Sequence, residues 1–505
     1  MRNQGLGSWP VRRARATPDK AAVIHRGGTR TYREWCGRVH ALANGLHQRG
    51  VGRGDRIAYL GPNHPALLET LFAAGTLGAV FVPLNTRLAA AELTFTLHDC
   101  GAEVLVHDGR HTETARSLRE RIPELLLITT TEDNSGEEDL ETLISAAPSD
   151  FRDEPVAPEE TALVLYTSGT TGRPKGARMS HGNAIWNALN VLVDVDITST
   201  EVTLLNAPLF HSAALGMTCL PTLLKGGTVV LEERFDVDTT FDLIERLRIT
   251  LMFGVPTMFD ALSRAARWPD ADLSSLRFLL CGGAPVPAEL IRRYSARGLA
   301  FMQGYGMTEA SPGVLLLSAA ESAERIGYAG KPAFFSDVRL ERTDGTTPSV
   351  GEPGEILVTG PNVVAGYWQR PADTANAFTE DGWFRSGDLA TVDEAGFHRI
   401  VGRIKDMFIS GGENVYPAEI ESVLHEHPAV VEAAVVGVPD PVWGEVGRAA
   451  VVVGTERPAE TGELAEFIAE RLGGYKVPKR IDLVDELPRG ATGKVDKQAI
   501  RRAHG

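Results

Sequence analysis

Residues 56–85 read RIAYLGPNHPALLETLFAAGTLGAVFVPLN. The short apolar run RIAYL predicts a strand, PALLETLFAAGTLG a helix, and AVFVPLN the next strand, which together make a β-α-β unit. Apolar runs of the same kind recur in EVLVHD, ALVLYT, VTLLNAP, TVVLEE, ITLMFGVP and RFLLCGG, with helical stretches between several of them. Such alternation predicts an α/β fold of mostly parallel sheets, whose ligands sit at the carboxyl ends of strands. Near residue 335 the pattern changes. Between Asp337 and Ile400 short strands alternate with turn signals (DGTTPSVGEPGE, EDGW, DEAG), which predicts a smaller β-rich element. After Asp406 an α+β pattern begins, with AEIESVLHEHP and ELAEFIAERLG as helices around the strand VVEAAVVGV. The expected division is an N-terminal domain over 1–402 and a small, mobile C-terminal domain over 403–505, with Gly402–Asp406 as the boundary.

At 505 residues the chain exceeds what one hydrophobic core organises. Its 51 basic and 66 acidic side chains leave a net charge of −15, which disfavours nucleic acid as the main partner. The run Arg12-Arg13-Ala14-Arg15 reads as a solvated face, and the acidic stretch 132–140 as a surface loop. The longest apolar stretch, Ala213 to Leu224, falls short of the roughly 20 residues a membrane span needs. Cys36, Cys100, Cys219 and Cys281 lie far apart without zinc spacing, so they read as small apolar residues in a reducing compartment, and the cytoplasm is expected.

The strand ALVLYT runs straight into YTSGTTGRPKG, Tyr166 to Gly176, where seven of eleven positions carry an aliphatic hydroxyl or no side chain. Inward-facing N–H groups, hydroxyls and one lysine are the donors that a phosphate group takes. Gly169 and Lys175 have the Walker A spacing, but Pro174 stands before the lysine and Gly176 replaces the magnesium-binding hydroxyl, which argues against a P-loop kinase or ATPase. A flexible surface loop is the plainer alternative.

This loop is followed in order by QGYGMTE (303–309), WFRSGD (383–388), GRIKDMFISGGENVYPAEIE (402–421) and PRGATGK (488–494). The series resembles the adenylate-forming superfamily of acyl- and aryl-CoA synthetases along essentially the whole chain. The resemblance implies activation of a carboxylic acid by ATP with Mg²⁺, then transfer to coenzyme A as co-substrate. It implies that Thr167, Ser168, Gly169, Thr170, Thr171 and Lys175 hold the β- and γ-phosphates, and that Gly282, Gly283, Ala284 and Pro285 lie against adenine. Gly304, Tyr305 and Gly306 lead to Thr308, implied at the α-phosphate, and to Glu309, implied as the magnesium ligand. Taken alone, a Thr-Glu pair is more often a helix-capping fragment. Asp388, with Arg403, is implied at the ribose. His211 in APLFHSAAL is implied beside the acyl carboxylate, where a lone histidine beside an apolar helix would otherwise read as structural. Lys494 is implied as the catalytic lysine, where a charge near a terminus would otherwise read as solvated. Lys405 is implied as the hinge, and Ser410, Gly411 and Gly412 as the lining of a pantetheine tunnel.

By the same resemblance the acid site draws on the helix around Trp186, on His211 to Met217 and on Gly304 to Gly313, stretches that are apolar and small here. They predict a hydrophobic or aromatic acid. Overall likeness favours a hydroxycinnamate such as ferulate over a medium or long fatty acid. FHSA lacks the aspartate with which amino-acid-activating relatives pair the amino group. A carrier-protein-loading ligase, an oxygenase using the same adenylate and a non-catalytic nucleotide-binding module are the other classes considered. A monomer and a homodimer fit equally.

Overall fold

The computed structural model describes residues 2–131, 138–167, 174–284, 286–410, 413–454, 457–490 and 493–503. Its first sheet has seven strands in the spatial order Glu138–Asp139, Leu126–Thr129, Val104–His107, Arg56–Leu60, Val80–Pro83, Thr161–Thr167 and Lys175–Ser180. All neighbours are parallel except the last pair, which forms an antiparallel hairpin. The second sheet has nine strands: Lys331–Pro332, Gly313–Leu317, Phe301–Gly306, Phe278–Gly282, Leu251–Gly254, Val202–Leu205, Thr228–Leu231, Ala21–His25 and Gly28–Thr31. Its centre is parallel, and it turns antiparallel at both edges.

Between these sheets lies a shared core. The helix Pro65–Leu77 begins on a proline, whose missing N–H costs nothing at a helix start, and ends at Gly78 with φ 71°, a left-handed cap. Every residue of that helix is buried, as expected of one that is apolar on all sides. Leu67, Leu71 and Phe72 join one cluster with Ile57 and Leu163 of the first sheet and Leu204 and Leu279 of the second. The opposite face of the first sheet packs separately through Ala58, Val82 and Leu105, the alternation that a period of two dictates.

Asp337–Glu341, Gly354–Thr359, Phe384–Val392 and His398–Arg403 form a four-stranded antiparallel meander. The C-terminal residues build a five-stranded sheet, with Gly444–Val453 at its centre and Val430–Asp440 along one edge. On one face Val435, Ala449 and Val451 pack against the helices Pro417–Glu426 and Thr461–Ala469 through Ile420, Leu424, Leu464 and Ile468. On the other face Ala434, Val436 and Ala450 cover Leu487, Val495 and Ile500. Both clusters draw only on residues from Phe408 onward.

The α/β fold of layered, mostly parallel sheets with a β-rich element and an α+β C-terminal unit is as expected. Arg403 closes the strand His398–Arg403 opposite Asp388, and the chain leaves that sheet in the turn 404–407. Three local readings are corrected. Arg13 is not simply solvated; its guanidinium donates to the Leu224 carbonyl at the end of the helix Leu220–Lys225. The acidic stretch does not stay a loop, because Glu138–Asp139 adds an edge strand and Leu140 starts a helix; 132–137 lie outside the described residues. A helix, Pro371–Ala377, interrupts the β-rich region. All four cysteines are buried, and burial pushes the thiols of Cys36 and Cys100 up to about 11 and about 12.

Phe408 is 1% exposed, and added methyls at Gly437 and Gly447 would come within 2.4 and 3.2 Å of its side chain. Those glycines make the room it fills. Phe408→Ala is expected to cost ~3–5 kcal/mol. Hydrogen exchange should show the loss of protection confined to residues from 408 onward; loss spread through the shared core would contradict a C-terminal unit with cores of its own.

Candidate active site

The strands Thr161–Thr167 and Lys175–Ser180 pair in register, Thr167 opposite Lys175, so the loop between them is delivered from one end of a hairpin. Ser168, Gly169, Thr170 and Thr171 lie outside the described residues. At the hairpin's mouth the Thr167 hydroxyl reaches Glu309 Oε1 at 3.5 Å. Lys175 Nζ sits 2.5 Å from Asp373 Oδ1 and 5.5 Å from the centre of the Tyr367 ring.

Opposite this hairpin the strand Phe301–Gly306 leads into the turn Thr308–Ala310. Gly306 admits no side chain, since a Cβ there would come within 1.8 Å of the Pro312 carbonyl oxygen. The chain can therefore fold back tightly and turn Thr308 and Glu309 outward. Thr308 Oγ1 lies 3.1 Å from Ser212 Oγ, and Glu309 Oε1 accepts a hydrogen bond from the Tyr367 hydroxyl at 2.9 Å. Gly282 pairs with Gly304 on the neighbouring strand, a methyl on it would approach the Gly304 carbonyl oxygen at 3.1 Å, and Gly283 and Ala284 follow at the exposed strand end. Pro285 lies outside the described residues.

Asp388 anchors the far side. It is 6% exposed, accepts from the Tyr305 hydroxyl at 2.7 Å on Oδ2, and faces Arg403 Nε at 2.9 Å from Oδ1. Burial and the adjacent carboxylate push the Tyr305 phenol well above its ordinary range, so it remains a donor. Lys494, from the C-terminal unit, completes the cluster. Desolvation first, then the Arg403 and Lys405 charges, lower its ammonium, while Asp388 and Glu309 oppose that shift. Lys494 is nevertheless an exposed residue, so the lowering reflects protein atoms crowded around it rather than exclusion from water. His211 is held at about 4 by burial and by the positive charges of Lys494 and Arg87, so it is neutral at pH 7.

The structure thus brings Thr167, Glu309, Asp388, Arg403, Lys405, Lys494 and His211 to one cleft, with Lys175 and Thr308 beside it. Buried Ser410 instead occupies the C-terminal sheet opposite Gly444; Gly411 and Gly412 lie outside the described residues. Sequence reasoning missed Tyr367, Asp373 and Arg87, and gave Ser212 no role of its own within the stretch His211 to Met217. Ser212 directly follows the singled-out His211, but Tyr367 and Asp373 sit in AGYWQRPADT with no local pattern that marks them. Trp186, half-exposed, stacks edge-to-face on Phe335 with ring centres 5.0 Å apart. Behind it on the same helix, Asn187 donates to the Gly216 carbonyl at 2.9 Å and accepts from the Gly313 amide at 3.0 Å. A methyl on Gly216 would meet Pro312 Cδ at 2.5 Å, so the segments around 216 and 312 close directly against each other.

The family model described as AMP-binding enzyme matches residues 11–368, and that of the AMP-binding enzyme C-terminal domain matches 419–494. The chain is 55% identical to a feruloyl-CoA synthase of an Amycolatopsis species, over 100% of both chains. It is 34% identical to a long-chain-fatty-acid–CoA ligase of Mycobacterium tuberculosis, over 100% of this chain and 99% of that one. Among solved structures, o-succinylbenzoate coenzyme A synthetase of Bacillus subtilis in complex with ATP and magnesium ion superposes with a TM-score of 0.87 at 35% identity, covering 98% of each chain.

A histidine held near 4 makes the folded state bind fewer protons than the unfolded chain between there and the ordinary 6.5. Its contribution to stability is therefore complete above 6.5 and is lost as pH falls toward about 4. Replacing Lys494 by Ala removes one positive charge and is expected to raise the His211 value, read from imidazole NMR shifts. An unchanged value would mean that Lys494 does not enter the cleft.

Proposed function

The chain belongs to the AMP-binding enzyme family, and from that premise we propose that it is an AMP-forming carboxylate–CoA ligase acting on a hydroxycinnamic acid such as ferulate. In the first half-reaction the acid's carboxylate attacks the α-phosphorus of ATP and expels pyrophosphate. In the second, the thiol of coenzyme A displaces AMP from the acyl-adenylate and loses its proton. The observation that carries this reading is the meeting of Glu309, Asp388, Arg403 and Lys494 in one cleft, on a chain 55% identical from end to end to a feruloyl-CoA synthase.

The first half-reaction joins two anions, so the enzyme's task is to place positive charge and fixed donors around them. In this reading Lys175 and Thr167, with Ser168, Gly169, Thr170 and Thr171, hold the β- and γ-phosphates, and the Thr308 hydroxyl serves the α-phosphate. Gly282 to Pro285 and Gly304 to Gly306 shape the nucleotide's bed. Asp388 carries one protein donor on each oxygen, and an ionised carboxylate has acceptor capacity left for two ribose hydroxyls. Glu309 offers the hard oxygen that magnesium takes, and a nucleotide-bound magnesium ion needs only one or two carboxylates besides phosphate and water. That ion, when bound, neutralises phosphate charge. Lys494 bridges the substrate carboxylate and the α-phosphate. His211, neutral at working pH, borders the acid without supplying the anion that would pair with a substrate amino group.

The close contact of Gly216 with Pro312 suits a compact aromatic acid better than a long chain. We divide the chain into 1–402 and 403–505 with the hinge near Lys405, whose turn follows the last strand of the meander. A rotation there would withdraw Lys494 and bring the segment of Ser410, Gly411 and Gly412 to the cleft for the thiol step. Four buried thiols suit the cytoplasm.

Lys494→Ala is expected to lose on the order of 10²–10³ in adenylation rate while still converting supplied acyl-adenylate with coenzyme A. Equal loss in both half-reactions would remove its bridging role. Lys405→Pro should spare adenylation and slow thioester formation; an unimpaired thioester step would move the hinge elsewhere. The substrate is tested by CoA-dependent AMP formation with ferulate and dodecanoate in one assay. A kcat/KM ratio above about tenfold for ferulate, roughly 1.4 kcal/mol of discrimination, is expected. The reverse ratio would make this a fatty acyl ligase and leave the mechanism standing.

A further inference from the structure

Segment 361–368 is a strap laid across the cleft's floor. At one end it is an added strand of the phosphate hairpin: Trp368 N–H donates to the Gly176 carbonyl at 2.7 Å, Arg178 N–H to the Gly366 carbonyl at 3.0 Å, and Ala177 bridges Tyr367. At the other end it encloses the turn Thr308–Ala310. Asn362 Nδ2 donates to the Ala310 and Gly313 carbonyls at 2.8 and 3.0 Å, and Val364 N–H donates to the Glu309 carbonyl at 2.8 Å. Asn183 Nδ2 holds the strap from beneath through the Pro361 and Val363 carbonyls, at 2.8 and 2.9 Å. Gly366 has φ 137°, and a Cβ there would meet Thr374 Cγ2 at 2.3 Å, so only glycine lets the chain turn at this point.

Tyr367 is the residue this turn delivers. Its backbone N–H donates to Thr374 Oγ1 at 3.0 Å, its ring lies 5.5 Å from Lys175 Nζ, and its hydroxyl donates to Glu309 Oε1 at 2.9 Å. Glu309 is thus gripped twice by one strap, at its carbonyl and at its carboxylate. We infer that Tyr367 is a positioning residue that fixes the Glu309 carboxylate for a nucleotide-bound divalent cation, and so sets it in register with Lys175. The inference rests on the reading of Glu309 as the magnesium carboxylate. A carboxylate free to rotate spreads its lone pairs over many directions. The Tyr367 hydroxyl at 2.9 Å is the shorter of two contacts to Oε1, the Thr167 hydroxyl at 3.5 Å being the longer, and a plane pinned on that oxygen leaves Oε2 for a cation. Groups that orient metal-binding side chains in this way are worth roughly 10–100-fold in metal affinity.

Tyr367→Phe removes the hydroxyl and keeps the ring beside Lys175. With Mn²⁺ as the probe and ATP saturating, electron paramagnetic resonance should show about tenfold or more weaker Mn²⁺ binding to the Phe variant. Its kcat at saturating metal should stay within about threefold, so the defect lies in metal dependence rather than in the chemical step. Glu309→Gln must itself weaken Mn²⁺ binding, and the double variant should be no weaker than Glu309→Gln alone, because the hydroxyl acts only through that carboxylate. Losses that add, or Mn²⁺ affinity within about twofold of wild type in Tyr367→Phe, would overturn the inference while leaving the proposed function in place. If Glu309→Gln binds Mn²⁺ as well as wild type, the magnesium reading itself fails. A general loss of fold would lower affinity in both backgrounds alike, which the double variant separates from positioning.

Discussion

One carboxylate joins the three parts of this protein. Asp388 belongs to the antiparallel meander, its Oδ2 is held by Tyr305 from the nine-stranded sheet, and its Oδ1 faces Arg403, the last residue before the turn to the C-terminal unit. A carboxylate this buried is stable only when donors surround it. The requirement therefore pulls the end of strand Phe301–Gly306 and the end of strand His398–Arg403 to the same point. The pivot of the proposed rotation about the turn 404–407 would thus be tied to the nucleotide cleft. The Lys494 loop of the C-terminal unit comes to rest beside this node.

The cleft stands where the sheets change character. The seven-stranded sheet is parallel until its last pair, and the nine-stranded sheet is parallel until Gly313–Leu317. Parallel strands need long crossovers, which cover the sheet faces with helices, whereas antiparallel neighbours can be joined by tight turns. At such an edge a short segment such as 307–312 joins two neighbouring strands without a covering helix. The strap 361–368 then pairs with one edge and wraps the other, so that Lys175 and Glu309, from different sheets, share a single frame. Rigid placement of this kind matters because catalysis by fixed charges depends on donors that need not reorganise when charge develops.

How much of this was legible depended on range. The unit 56–85 could be read from local pattern, and its helix boundary follows from Pro65 and Gly78. The C-terminal helices and strand were equally plain, because apolar periodicity is a local property. The hairpin Ala21–Thr31 was not anticipated, since its place beside Thr228–Leu231 rests on a pairing some two hundred residues away in sequence. Within the site, the motifs named Glu309, Asp388, Arg403 and Lys494, but not the bonds between them. Tyr367 was invisible for a physical reason: its function depends on a glycine with positive φ and on a carboxylate 58 positions upstream, and neither leaves a mark in a local window. Arg13 misled in the same way, a charged side chain whose partner is a distant helix end.

The anchoring of Lys494 bears on how one cleft can serve two reactions. Among the described residues the hydrogen bonds on its loop come from the C-terminal side: Gly490 N–H donates to the Lys494 carbonyl at 2.9 Å, and Arg489 reaches the Gly493 carbonyl at 3.0 Å and pairs with Glu432. Val495 and Ile500 behind it pack on the C-terminal sheet. Its charge neighbours Glu309, Asp388 and Arg403, by contrast, all precede the turn 404–407. Among those groups the ammonium is less favoured than in water, because desolvation and the charges of Arg403 and Lys405 outweigh the two carboxylates. The lysine is therefore placed by the packing of its unit, not drawn in by its own charge. A phosphate in the cleft reverses that balance, since an anion stabilises the ammonium that burial opposes. Once pyrophosphate has left, part of that attraction leaves with it, and withdrawing Lys494 breaks none of these bonds. A charge carried on a loop anchored elsewhere can thus be present for the step that needs it and absent for the step that needs its place.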